Sequence, residues 1–117
     1  MATTYHEPAG ELSAETRNIH RALTSLIEEL EAVDWYNQRV DVTQDDELRE
    51  ILAHNRDEEI EHAAMTLEWL RRQMPQFDEE LKTYLFKSGP IAHHEGEEAA
   101  AGAGGHSLGI GKFSKGG

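Results

Sequence analysis

Apolar residues in the first third of the chain fall at Ile19, Leu23, Leu26, Leu30, Val33 and Val40, with Asn37 taking the intervening place. Steps that alternate between three and four mark the stripe of a helix that packs against another helix. Ser13 stands where an N-cap is needed, and Glu15 follows in the first turn, where a carboxylate complements the helix dipole. Neither Gly nor Pro interrupts the run from there to about Val40. A helix of about 28 residues would be about 40 Å long.

Asp41-Val42-Thr43-Gln44-Asp45-Asp46 reads as a short connection ending in a second N-cap, so a second long helix is expected from about Asp46 to Gln73. Pro75 sets its end, because the residue before a proline avoids the helical region. Two long helices joined this tightly must run antiparallel, as a hairpin. A third, shorter helix is expected from Gln76 to Lys87, with Phe77, Leu81, Leu85 and Phe86 on its apolar side, before Ser88-Gly89-Pro90 closes the folded part. The fold class is therefore all-α: an antiparallel two-helix hairpin plus a short C-terminal helix.

The ends carry a different pattern. Pro8 and Gly10 discourage helix, so residues 1–12 read as an extended, flexible leader before a helical domain at 13–90. Residues 91–105 turn to Gly, Ala and Glu, which bury too little apolar area to offset the entropy of ordering, and read as a tether. Residues 106–117 then offer Ser107-Leu108-Gly109-Ile110-Gly111-Lys112-Phe113, a short apolar peptide placed where a docking segment would be.

Composition narrows the function. With 117 residues, 29% of them charged and 7% aromatic, a core folded alone would be marginal, and oligomerisation is the usual remedy. The net charge of −12 argues against a nucleic-acid partner, which needs a concentrated basic face, and favours cations. Cysteine is absent, which removes disulfides and thiolate metal sites and fits a reducing cytoplasm. No apolar run approaches the ~20 residues that span a bilayer, and Met1 to His6 lack the regions of a signal peptide.

The candidate chemistry lies where the apolar stripes are broken. On a helical wheel Glu59 shares a face with Leu48, Leu52, Asn55, Ala63, Thr66 and Leu70, and His62 follows one turn along, about 60° away. A carboxylate in the middle of an otherwise apolar stripe is costly unless something positive compensates it. Glu29, between Leu26 and Val33, shares the face of Ala22, Tyr36 and Val40 on the first helix, while Glu28 and Glu31 point further away. In the hairpin, Glu29 would then oppose Glu59 and His62. One Glu plus one Glu-x-x-His is half the ligand set of a two-metal carboxylate bundle. The chain has no second Glu-x-x-His on another helix, so a two-fold axis must supply the other half. Oxygen and imidazole donors without sulfur suit iron or manganese and also bind zinc.

Two longer stretches carry a resemblance. Glu28-Glu29-Leu30-Glu31-Ala32-Val33-Asp34-Trp35-Tyr36 and His54-Asn55-Arg56-Asp57-Glu58-Glu59-Ile60-Glu61-His62-Ala63-Ala64-Met65, with Thr66 to Arg72 and Thr83 to Phe86, resemble the encapsulated ferritins over roughly residues 13 to 90. Ser107-Leu108-Gly109-Ile110-Gly111 looks like the peptide that loads cargo into encapsulin shells. Ile60 stands where the family is expected to carry Lys, and Lys112-Phe113 replaces the Ser-Leu expected after the Gly.

The resemblance implies a ferroxidase, in which Fe²⁺ is oxidised by dioxygen at a site across a dimer interface, holding two iron ions per dimer. Zinc or calcium would be accepted there as substitutes. Carried over by position, Glu29, Glu59 and His62 are the ligands with Tyr36 beside them, and Glu28, Glu31 and Trp35 form an outer metal site. The implied assembly is a ferritin-like four-helix bundle formed on dimerisation, then an open ring, commonly a decamer. It would lie in the cytoplasm inside the lumen of an encapsulin nanocompartment, bound to the shell through residues Ser107 to Lys112, with iron stored by the shell. Read from the residues alone, two other classes stay open: a module that sequesters Zn²⁺ or Ca²⁺ without turnover, and a scaffold dimer whose tail docks it in a shell.

Overall fold

The computed structural model describes residues 4–93. The chain divides into two units, one through Gln73 and one from Met74 onward. The first is built on two long helices, α1 (Ala14–Val42) and α2 (Asp46–Gln73), which pack against each other as an antiparallel hairpin. Ser13 caps α1 through its side chain, which accepts from the Thr16 amide at 3.0 Å. At the start of α2 the Asp45 carboxylate accepts from the Leu48 amide at 2.9 Å, so Asp45 does the same work. Each cap satisfies an amide that the first helical turn leaves unpaired.

The connection is Thr43–Asp45, shorter than the sequence suggests because α1 carries on through Asp41 and Val42. Arg49 laces it from the first turn of α2. Its guanidinium donates to the carbonyl of Thr43 at 3.0 Å and to the Asp46 carboxylate at 2.7 Å. The helices are joined again higher up, where Arg56 donates to Asn37 Oδ1 at 3.0 Å. Asn37, the polar break in the apolar stripe of α1, is thus a cross-helix hydrogen-bond acceptor.

The leader departs from a purely extended reading. Ala9–Glu11 form one 3₁₀ turn after Pro8, and Arg17 of α1 donates to the Ala9 carbonyl at 2.6 Å. Proline fixes its own φ near the value such a turn needs, so it starts the turn that it was expected to prevent. The Tyr5 ring lies 4.6 Å from that of His20.

In the second unit, α3 spans Pro75–Tyr84, starting one residue earlier and ending three residues earlier than the sequence suggests. Proline at the first helical position costs nothing because that amide is unpaired anyway. The early end comes at Leu85, which is extended, and Phe86, whose φ of 60 lies in the left-handed region that closes helices. Phe86 is therefore off the helix and fully exposed. A further 3₁₀ turn covers Ile91–His93. The segment 106–117 and most of the tether lie outside the described residues.

Little of this structure is kept from water. Among the described residues Ala63 and Leu70 are the buried apolar side chains, while Leu30, Trp35, Ile51, Ile60 and Met65 are each about half exposed or more. Leu30 was expected in the seam with Leu26 and Val33; it lies 54% exposed, so the packing face of α1 turns toward Ala22, Leu26, Val33, Tyr36 and Val40. A hairpin has one helix–helix contact to offer, so every other apolar face stays open until another surface covers it. Among the described residues, no helix is long and apolar enough to cross a membrane.

Candidate metal centre

Glu29 occupies the middle of α1, on the edge of the face that meets α2. One oxygen, Oε2, lies 3.4 Å from the Thr66 hydroxyl of α2, and the other, Oε1, is buried without a hydrogen-bond partner. A buried carboxylate oxygen left unpaired is expensive, so its place calls for an electropositive ligand. Glu29 also lines an open groove of about 420 Å³ with Asn18, Arg21, Ala22, Ser25, Met65, Thr66 and Trp69. The guanidinium of Arg21, the cation in that groove, is turned to Asn18 Oδ1 at 2.6 Å.

Glu59 and His62 sit on the adjoining face of α2. His62 Nδ1 and Glu59 Oε1 are 3.6 Å apart, beyond hydrogen-bond length, so neither uses up the other. Their side chains are 46% and 27% exposed, which leaves the imidazole reachable from outside the chain. Thr66 follows His62 by one turn and bonds its carbonyl at 3.1 Å. Glu29 therefore reaches α2 one turn beyond His62, further along than an opposition to Glu59 would need. Among the described residues no group of three or more His, Asp or Glu side chains gathers within the chain to hold a metal ion. The chain brings Glu59 to His62, and Glu29 to the next turn, and stops there.

The remaining candidates sit elsewhere on the hairpin. Tyr36 is half-buried, with the Arg39 guanidinium 5.3 Å from its ring centre. Trp35 is exposed and lines a shallow groove with Gln38, Arg39 and Val42; Glu28 is exposed and Glu31 half-buried. His54 and Glu58 form an exposed pair at 3.0 Å.

Two features of the structure carry more than periodicity assigned to them. Thr66 shares the Glu59 face of the helical wheel, and its spacing of four from His62 is the signal that marks it. Glu68 is held by Arg71 through two bonds of 2.8 Å and by Arg72 through one of 2.7 Å. These arginines, Arg71 first, pull its carboxyl down to about 2 from an ordinary value of 4.5. The spacing of three and four along one helix was the legible signal there.

A sequence model described as EncFtn-like matches residues 4–88. A ferritin-like protein from Thermotoga maritima is 58% identical over 115 residues, covering 97% of this chain and 100% of its own length. An encapsulated ferritin-like protein from Rhodospirillum rubrum is 58% identical over 120 residues, covering 92% of this chain and 86% of its own. Among solved structures, the crystal structure of a protein from Nitrosomonas europaea superposes with a TM-score of 0.73 at 68% identity, over 76% of this chain and 98% of that one. Identity at this level across the whole helical region, on the same all-helical frame, leaves one assignment: the chain belongs to the EncFtn-like family.

Proposed function

We propose that this protein is a ferroxidase subunit that carries half of a two-iron site, completed by a second copy across a two-fold axis. Fe²⁺ is the substrate and dioxygen the electron acceptor, each ion giving up one electron. Glu29 and Glu59 supply carboxylate oxygens and His62 an imidazole nitrogen, a donor set that suits iron. The observation that carries this reading is the buried, unpartnered Oε1 of Glu29 on an open groove. A bound cation would satisfy it, and a second copy would close the groove.

The open faces support self-association, since a hairpin with so few buried apolar side chains gains most by covering Met65, Trp69 and their neighbours. Two copies bring four carboxylates, whose mutual repulsion two divalent ions neutralise. Assembly and metal binding are then linked, and a ring of dimers is the expected end state. Glu28, Glu31 and Trp35 form the outer site that receives incoming cations, as an acidic surface favours. Tyr36 stands beside the inner one.

The Rhodospirillum rubrum relative is called encapsulated, which supports an encapsulin shell as the partner and its lumen as the location. The segment Ser107 to Lys112 is the proposed shell-binding peptide. Iron oxidised here would be stored as mineral within the shell.

The test is oxygen uptake together with ferric absorbance after mixing the protein with Fe²⁺. The parent chain should consume oxygen rapidly, while Glu29→Ala and His62→Ala should fall to the rate of Fe²⁺ in buffer. Fe²⁺ binding without oxygen uptake would favour sequestration instead. Deleting residues 106–117 should abolish co-purification with encapsulin and leave oxidation intact.

A further inference from the structure

Among the described residues Glu29 meets one hydrogen-bond donor, the Thr66 hydroxyl, 3.4 Å from Oε2. That hydroxyl has one proton and two acceptors within reach, because the His62 carbonyl oxygen is 3.1 Å away. Sharing the proton ties a carboxylate of α1 to the turn of α2 that bears the imidazole. Among the described residues this is what distinguishes the two oxygens of Glu29: Oε2 is held, and Oε1 is buried without a partner.

We propose that Thr66 is a positioning residue, whose hydroxyl holds Glu29 Oε2 so that Oε1 stays turned to the groove as a ligand for a divalent cation. The inference rests on the metal-centre reading above. The chemistry of the donor matters. A guanidinium at this point would neutralise the carboxylate, whereas a neutral hydroxyl fixes its orientation and leaves its charge available. Arg21 lines the same groove, yet its guanidinium is engaged by Asn18. Thr66 is half-buried against the hairpin, so its side chain has little freedom to leave.

Outer hydrogen bonds to metal ligands typically change affinity by about 10- to 100-fold when removed. The test uses the full-length chain and Co²⁺, read by its visible absorption, with circular dichroism as a check on folding. Thr66→Val keeps the shape and removes the hydroxyl, and should weaken Co²⁺ binding by about ten-fold or more. Thr66→Ala should do the same without the extra methyl. Thr66→Ser restores the hydroxyl and should stay within about three-fold of the parent, against the larger loss expected when an outer bond is missing. Parent-like binding by Thr66→Val, or equal losses in Thr66→Val and Thr66→Ser, would overturn the assignment. Glu29→Ala separates the two levels. If it too binds Co²⁺ like the parent, the metal centre itself is refuted; if it alone loses binding, only the role of Thr66 is.

Discussion

Two glutamates on the same hairpin are treated in opposite ways. Glu68 keeps 41% of its side chain open to solvent, yet two arginines on its own helix grip both of its oxygens. Glu29 has one oxygen buried, where compensation is needed more, and among the described residues it receives one neutral hydroxyl at the limit of hydrogen-bond length. Desolvation alone would place the arginines the other way round. Among the described residues, arginines thus compensate Glu68 and none compensates Glu29. That contrast is what the proposed cation at Glu29 would account for.

The strongest way to break this contrast is to give Glu29 what Glu68 has. Thr66→Lys would bring an ammonium to the carboxylate, and oxygen uptake with Fe²⁺ should drop as far as in Glu29→Ala. Retained turnover would mean that Glu29 does not hold the substrate ion. A smaller effect is expected on assembly. Sizing chromatography of the parent should shift to larger species with Fe²⁺ and return with a chelator, because an ion shared by two chains favours their association. Thr66→Lys should show no such shift, and an unchanged parent profile would separate assembly from metal.

The smallest effect belongs to Glu68. Its carboxyl is held near 2 in the folded chain against an ordinary 4.5, so the folded state prefers the ionised form. That contribution is complete above about 4.5 and disappears as the pH falls to about 2. Glu68→Gln should therefore lower the thermal midpoint slightly at neutral pH, as exposed ion pairs do, and match the parent near the acid end. Iron oxidation should be unchanged. A difference that persists at low pH would show that the substitution acts through packing and not through charge.

Periodicity and capping rules sufficed for the hairpin. Ser13 and Pro75 each act on their own few residues, so the ends of α1 and α2 were readable to within two residues. The end of α3 was not, because Leu85 and Phe86 continue an apolar helical spacing that the backbone abandons at Phe86. The acidic face of Glu59 and His62 was equally visible, since a polar break in an apolar stripe is a property of one helix. What α1 and α2 say to each other was hidden. The bonds from Thr66 to Glu29 and from Arg56 to Asn37 depend on how far one helix is slid along the other, and no wheel records that offset. For the same reason Leu30 was assigned to the seam when a rotation of α1 turns it to solvent.

The scarcity of sheltered apolar side chains also governs how long such a subunit lasts. With Ala63 and Leu70 alone withdrawn from water among the described apolar residues, the free chain should be marginally stable, and in the proposed assembly a second copy supplies the missing protection. Under that proposal its melting temperature should rise with the amount of protein present. Dilution, which leaves an ordinary globular enzyme untouched, would by itself loosen this one.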